Sequence, residues 1–314
     1  MRFSIIIPLY NKAPYIKKAL DSVRRQTFRD FELIVVDDGS TDDSLRIAED
    51  TLEKSGIDCQ LICQNNAGVS TARNNGFAAS HGDYICFLDA DDWWAFSFLE
   101  RMDWLIREYP EAGIYGTNYY YVKNGKPSVG VTTAETGYID YCKVYAERLQ
   151  MPLWTGATCI PKRVFHEMGG FDPGLRLGED FCLWIQVALR YKVAFLNEAL
   201  SFYSQDSDAA WRLVGKLQDP SHHMLWNLDI LSHEEASNAD YKKLIDRLRT
   251  YDLLPYYLSR QYHDAAKKEL EKVDWVNQPG RIRRLYRTPV GILRIRQAVL
   301  KVGSSLKQAI QKIV

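Results

Sequence analysis

The chain has 314 residues, 46% apolar and 25% charged, which suffices for a sizeable core in one or two domains. Forty basic residues balance forty acidic ones, so the net charge gives no reason to expect a nucleic acid partner. No apolar run approaches the roughly 18 residues of a membrane-spanning helix, and the N-terminal apolar run is too short for a signal peptide. The six cysteines form no C-x-x-C pair, which is typical of reduced thiols. We therefore expect a protein of the cytoplasm, or of the inner face of the cell membrane.

The first 120 residues alternate between short apolar runs and helical patterns. Strands are predicted at Phe3–Pro8, Phe31–Val36, Cys59–Cys63, Tyr84–Leu88 and Ala112–Val122. Helices are predicted between them, one capped by Asn11, one by Ser40 or Thr41, and two more at Val69–Ser80 and Phe96–Tyr109. Buried strands that alternate with helices predict an α/β fold with a mostly parallel sheet and right-handed crossovers.

The rest of the chain has a different pattern. Between Gly125 and Ala199 the predicted elements are shorter and mixed, with a strand at Leu153–Ile160 and a helix at Asp180–Tyr191. After Ser201 the pattern is helical, and prolines interrupt it. The sequence thus predicts an α/β domain followed by a helical extension.

Polar clusters follow three of the predicted strands. Pro8 and Tyr10 come after the first, Asp37-Asp38 after the second, and Asp89-Ala90-Asp91-Asp92 after the fourth. The carboxyl ends of parallel strands meet at one edge of a sheet, where such folds bind ligands. Any single aspartate here would more simply cap a helix. Both acidic clusters together favour a site for a nucleotide and a divalent metal.

Five motifs, in order and at matching spacing, resemble family 2 glycosyltransferases of the GT-A fold, the inverting type that uses nucleotide sugars. They are Ser-Ile-Ile-Ile-Pro-Leu-Tyr-Asn, Phe-Glu-Leu-Ile-Val-Val-Asp-Asp-Gly-Ser-Thr-Asp, Asn-Ala-Gly-Val-Ser-Thr-Ala-Arg-Asn, Phe-Leu-Asp-Ala-Asp-Asp, and Gly-Gly-Phe-Asp followed by Gly-Glu-Asp-Phe. The resemblance implies a Rossmann-like GT-A domain over residues 1–205. Its nucleotide-binding half would be 1–122 and its acceptor-binding half 123–205, with a helical extension at 206–314.

The resemblance also implies a role for each matching residue. On the donor side, Asp38, with Asp37 beside it, would accept a hydrogen bond from the nucleobase, and Pro8 and Tyr10 would border the pocket of that nucleobase. Arg73 would lie near the nucleotide and diphosphate, Asp89 would contact the ribose or sugar, and Asp91 would bind a Mn²⁺ or Mg²⁺ ion. Asp180 would be the catalytic base, with Glu179 orienting it or contacting the acceptor.

The sequence departs from the family pattern in two places. Many relatives carry a histidine after the strand that follows the Glu-Asp helix, and it completes their metal site. Phe202–Asp208 contains none, which leaves Asp206, Asp208 or the more distant His222-His223 as alternatives, although two exposed histidines on a helix are the simpler expectation. The Gln-x-x-Arg-Trp motif of processive synthases is also missing, which favours addition of one sugar per encounter.

The C-terminal region is basic. Residues 276–314 contain nine Lys and Arg residues and no acidic residue, and Ile292, Val299, Leu306 and Ile313 recur every seven positions. A basic amphipathic helix predicts peripheral membrane contact through residues 281–314. Docking of this helix on its own domain and pairing in a homodimer remain the alternatives.

We therefore predict a non-processive, metal-dependent glycosyltransferase that transfers a sugar to a glycan or a lipid-linked acceptor in cell-surface glycan synthesis. A UDP-sugar is favoured as donor over a GDP- or dTDP-sugar. One alternative is a sugar-nucleotide-binding subunit that has lost catalysis. Another is a sugar-1-phosphate nucleotidyltransferase, but that enzyme needs a glycine-rich loop after the first strand, and residues 8–12 contain no glycine.

Overall fold

The computed structural model describes residues 1–53, 56–206 and 217–297. The chain divides into two compact units, Met1–Asp240 and Tyr241–Val314. The division of function after residue 205 stays a prediction. All six cysteines are free thiols and four of them are buried, as expected.

The strands of the first unit form one sheet. They are β1 (Phe3–Leu9), β2 (Phe31–Asp37), β3 (Cys59–Cys63), β4 (Tyr84–Phe87), β5 (Trp93–Trp94), β6 (Ala112–Lys123), β7 (Lys126–Val129), β8 (Gly137–Ile139), β9 (Thr158–Pro161) and β10 (Lys192–Ser204). Their order across the sheet is β3-β2-β1-β4-β9-β6-β10-β5, while β7 pairs with β6 and β8 with β10.

The α-helices of the described residues follow in chain order. They are α1 (Ile16–Arg24), α2 (Ser44–Glu53), α3 (Val69–Ala79), α4 (Phe98–Glu108), α5 (Tyr141–Arg148), α6 (Lys162–Glu167), α7 (Glu179–Arg190), α8 (Ser232–Ser237), α9 (Ala239–Asp252), α10 (Leu254–Leu258), α11 (His263–Leu270) and α12 (Gly280–Arg287). Residues 290–297 are also helical. None of the helices in these ranges is long and apolar enough to cross a membrane.

The sheet is mixed. Strands β3, β2, β1 and β4 are parallel to one another, and so are β6 and β10. Strand β9 lies between the two groups and runs antiparallel to both of its neighbours. The α/β fold and the helical C-terminal region are confirmed. The parallel arrangement applies within each group of strands, and the antiparallel β9 joins the two groups.

Helices cover both faces of the parallel strands. Every residue of β1 and β2 is buried. Alternate side chains such as Ile5 and Leu33 join a core with apolar residues of α1 and α4. On the opposite face α3 approaches closely at Gly76, where a Cβ atom would lie only 2.5 Å from a methyl group of Ile6. Burial on both faces explains why these strands are continuous apolar runs.

The predicted helix caps were wrong. Helix α1 begins at Ile16, and Asn11 does not cap it. Asn11 has a left-handed backbone (φ 50°), and its side-chain oxygen accepts a hydrogen bond from the backbone N–H of Thr41 at 2.8 Å. The first N–H group of α2, at Ser44, donates to Asp42 at 2.9 Å. These polar side chains therefore join the loops that follow β1 and β2, at the edge where the acidic clusters lie.

Candidate active site

The two aspartates at the end of β2 have different environments. Asp38 is buried, and its carboxylate accepts hydrogen bonds from the backbone of Ala67 at 2.7 Å and of Gly68 at 2.9 Å. The side-chain amide of Gln64 donates a third, at 2.7 Å. Asp37 is also buried and accepts from the Ser40 N–H through Oδ2 at 3.1 Å, but its Oδ1 has no partner among the described residues. Asp38 thus holds the loop before α3, while Asp37 retains a free acceptor.

The other predicted nucleotide-binding residues lie beside this pair. Pro8 is buried within β1 and pairs with Val36 of β2, while Tyr10 is half-buried just after the strand ends. Gly39 has φ +73°, and a Cβ atom there would lie 3.1 Å from the backbone nitrogen of Asn66. The turn after Asp38 therefore requires glycine, because an L side chain would be both strained and crowded.

Arg73 on α3 connects carboxylates from two parts of the sheet edge. Its side chain is only 4% exposed, and it donates to Asp89 at 2.7 Å and to Glu179 at 3.0 Å. Burial alone would lower the pKa of Arg73, but the charges of Asp89 and Glu179 outweigh burial and raise the pKa. A fixed cation therefore joins the loop after β4 to the start of α7.

The three carboxylates of the acidic loop after β4 differ in burial, and Asp92 is the most buried of them. Asp91, the predicted metal ligand, forms an ion pair with Lys12 at 2.6 Å. Asp92 is 1% exposed and accepts from the backbone of Ser204 at 2.8 Å. Burial and then the negative charges of Asp91 and Asp89 raise the pKa of Asp92 well above its ordinary value. Asp92 therefore fixes the end of β10, whereas Asp91 is held by Lys12.

Glu179 and Asp180 form the first turn of α7. Gly178 precedes them with φ +81°. Burial, and then the charge of Asp180, raise the pKa of Glu179 against the opposing effect of Arg73. Asp180 accepts a hydrogen bond through Oδ2 from the hydroxyl of Thr155 at 2.8 Å. Its Oδ1 accepts from the backbone N–H of Phe181 at 2.7 Å, so both oxygens of Asp180 are held, one of them by a residue of the 3₁₀ turn Thr155–Ala157.

The segment after residue 216 packs against the loop before α7. The backbone of Met224 donates to Leu177 at 3.1 Å, and His223 forms an isolated β-bridge with Leu177. A Cβ atom on Gly178 would lie 2.6 Å from the side chain of Met224. His223 is 2% exposed, which corrects the expectation that both histidines would be exposed. This segment therefore restrains the position of Glu179 and Asp180.

The residues considered for a third metal ligand are not brought to Asp91 as a cluster. Among the described residues, no group of three His, Cys, Asp or Glu side chains is arranged to hold a metal. Both carboxylate oxygens of Asp206 accept from the hairpin turn, from Asn124 at 2.6 Å and Gly125 at 3.2 Å. Asp208 lies outside the described residues, as do residues 298–314 of the predicted basic helix.

Two residues of the site were not among those predicted. Lys12 is paired with Asp91 across 79 positions of sequence, and Thr155 with Asp180 across 25. Lys12 adjoins the first polar cluster, and Thr155 lies within the strand predicted at Leu153–Ile160. Proximity to those motifs was the available signal, but the pairings depend on tertiary contacts.

Comparison with known proteins identifies the class. The model of the family described as glycosyl transferase family 2 matches residues 4–163, half of the chain. The chain therefore belongs to this family.

The chain is also similar in sequence to individual curated proteins. The chain is 43% identical to the Bacillus subtilis protein EpsJ, described as an uncharacterized glycosyltransferase, over 214 residues that make up 66% of this chain and 62% of EpsJ. It spans 30% to 64% of the lengths of three curated relatives that it matches.

Solved structures show the same fold. TarS of Staphylococcus aureus in complex with UDP-GlcNAc aligns with a TM-score of 0.72 at 20% identity, covering 90% of this chain and 83% of TarS. The mannosyltransferase PcManGT of Pyrobaculum calidifontis, in complex with GDP-Man and Mn²⁺, aligns with a TM-score of 0.52 at 15% identity, covering 88% of each chain.

Proposed function

We propose that the protein is a non-processive, inverting glycosyltransferase that moves one sugar from a UDP-sugar to an acceptor hydroxyl. The observation that carries the proposal is the network in which buried Arg73 joins Asp89 to Glu179, next to Asp180. One connected set of charges thus spans the predicted donor and acceptor sides. The UDP-GlcNAc bound to the similarly folded TarS supports UDP as the nucleotide.

Asp180 is proposed as the general base. An acceptor hydroxyl is a poor nucleophile, so a carboxylate must take its proton as the oxygen attacks the anomeric carbon. The Thr155 hydroxyl donates a hydrogen bond to one oxygen of Asp180, and this side-chain contact orients the carboxylate. The neighbouring Glu179, whose pKa is raised by burial, is proposed to contact the acceptor and orient it towards Asp180.

The donor would bind along the loops after β1, β2 and β4. Asp38, with Asp37 beside it, is proposed to accept a hydrogen bond from the nucleobase, and the same Asp38 carboxylate fixes the loop before α3. Pro8 and Tyr10 would form the adjoining wall. Asp89, held by Arg73, is proposed to contact the ribose or the sugar.

We propose that a divalent cation, shared with the phosphates of the donor, binds at Asp91. Mg²⁺ and similar ions commonly use one or two carboxylates together with substrate phosphates, and Asp91 offers one carboxylate at the site. Mn²⁺ in the similarly folded PcManGT supports this assignment. A bound cation would neutralise charge on the departing diphosphate. It would compete with Lys12 for the same carboxylate, so Lys12 is proposed to balance Asp91 when the donor is absent.

We further propose that the acceptor belongs to cell-surface glycan synthesis, as a glycan or a lipid-linked sugar, and that the C-terminal region contacts the inner face of the membrane. The basic composition of residues 276–314 supports the membrane contact. Pairing of two copies stays a prediction.

Calorimetric titration of UDP, GDP and dTDP, with and without Mn²⁺, tests the donor site. We expect UDP to be the one nucleotide of the three that binds tightly. Its binding should require Mn²⁺ and should be abolished by Asp91→Ala. Asp83→Ala is the matched control, because Asp83 is exposed at the opposite end of β4 and should leave binding unchanged. Mn²⁺-independent binding by wild type would refute the metal assignment.

Asp180→Asn tests the base. Transfer should fall by about 10² to 10⁴-fold while UDP binding is retained, because only the proton acceptor is removed. The same transfer rate in wild type and variant would refute the role of Asp180. Absence of transfer in both, with UDP binding intact, would favour the sugar-nucleotide-binding subunit.

A further inference from the structure

The second unit contains a cavity of about 380 Å³ that belongs to none of the loops described above. Three aromatic side chains line it, from α10, from α12 and from the loop between α11 and α12. The Tyr286 ring lies 5.1 Å from that of Tyr257 and 5.1 Å from that of Trp275. These contacts make one continuous aromatic wall.

Three cations line the same cavity. Lys267 comes from α11, and Arg283 and Arg287 lie one turn apart on α12, so both face the same side of that helix. In the described part of the chain, none of the three side chains forms an ion pair or a hydrogen bond. Glu271 is the only acidic residue in the lining, which leaves an excess of two positive charges.

Such an arrangement favours an anionic ligand. Cations held together without partners repel one another, and an anion between them removes that repulsion. Arginine presents paired N–H donors that match phosphate oxygens, and lysine adds a compact charge. The cavity therefore suits a phosphate group better than a neutral sugar.

Other features of the unit favour a lipid as the source of this phosphate. Residues 241–297 contain fourteen Lys and Arg residues against six Asp and Glu residues, so the unit attracts an anionic surface. Val276, next to Trp275 of the wall, is 80% exposed, and Ile295 is 66% exposed. Exposed aliphatic side chains beside tryptophan, tyrosine and arginine are typical of surfaces that enter the membrane interface.

We propose that this cavity binds the phosphate group of an anionic lipid, with Lys267, Arg283 and Arg287 as its ligands. The proposal rests on the proposed membrane contact of the C-terminal region and makes it specific, because it assigns the contact to a built site rather than to overall charge. It is independent of the donor site, and the two can be tested separately on the full-length chain.

Sedimentation of the full chain with phosphatidylcholine vesicles, with and without phosphatidylglycerol, tests the proposal. The test variant is Arg283→Gln/Arg287→Gln. The control is Arg284→Gln/Arg296→Gln, which removes the same charge from two exposed arginines outside the cavity. Both should bind more weakly than wild type, since each basic residue contributes to the general attraction. The cavity variant should lose at least about tenfold more, because its paired hydrogen bonds to phosphate are lost as well.

A charge-conserving variant, Arg283→Lys/Arg287→Lys, separates geometry from charge. It should bind vesicles at least about threefold more weakly than wild type, since lysine cannot donate the paired bonds. Wild-type binding by this variant, or equal losses in the cavity and control variants, would overturn the cavity assignment.

Competition distinguishes the two sources of phosphate. Inorganic phosphate at constant ionic strength should leave vesicle binding within about twofold of its starting value, because it lacks the apolar part of a lipid. Full displacement by inorganic phosphate would overturn the assignment to a lipid, as would failure of wild type to bind anionic vesicles. Calorimetric UDP binding, measured on the same variants, should be unchanged, so failure of this proposal and failure of the glycosyltransferase proposal give different results.

Discussion

His223 should make the stability of the protein depend on pH between about 4 and 6.5. It is buried beside the loop before α7, and its Nδ1 accepts a hydrogen bond from the backbone of Leu225 at 3.2 Å. Burial lowers the pKa of His223 from 6.5 to about 4, because the charged imidazolium is poorly solvated there. The folded protein therefore holds His223 neutral under conditions in which the unfolded chain takes up a proton.

The sign and size follow from this difference in pKa. The stability linked to His223 is fully present above pH 6.5 and falls as the pH drops towards 4, because only the unfolded state binds the proton in that range. Between pH 7 and pH 5 the free energy of unfolding should fall by about 2 kcal/mol on account of this residue alone.

Urea unfolding at pH 7 and pH 5 measures this contribution. In His223→Asn, whose side-chain oxygen replaces the Nδ1 acceptor but does not titrate, the fall between the two pH values should be smaller than in wild type by about 2 kcal/mol. His233→Asn, at an exposed histidine of α8, should behave as wild type. An equal fall in wild type and His223→Asn would refute the argument that burial keeps this histidine neutral.

Much of the fold follows from local patterns. The predicted bounds of β3 coincide with those observed, and α7 differs by one residue at each end. The strand predicted at Leu153–Ile160 is shorter than expected. Residues Thr155–Ala157 form a 3₁₀ turn, and β9 begins only at Thr158. Its antiparallel position between β4 and β6 depends on pairing partners distant in sequence, which no local pattern contains.

The candidate site was partly predictable for a similar reason. Parallel strands bring their carboxyl ends to one edge, so the acidic clusters after β2 and β4 could be placed together from sequence. What each carboxylate contacts could not be predicted. Asp38 is engaged by the loop before α3, and Asp92 by the end of β10, through backbone donors that every sequence supplies. The choice between a cap, an anchor and a ligand therefore needs tertiary structure.

Two further substitutions separate catalysis from stability. Thr155→Val should lower the turnover number about tenfold and leave UDP binding unchanged, because it removes one hydrogen bond to Asp180. Unchanged turnover would show that this bond does not orient the base. Arg73→Gln should lower the free energy of unfolding by about 3 kcal/mol in urea, since two largely buried carboxylates lose their shared cation. Arg101→Gln, which breaks a more exposed ion pair, should cost less than about 1 kcal/mol. Equal losses in these two variants would refute the view that Arg73 is needed to hold the donor and acceptor sides together.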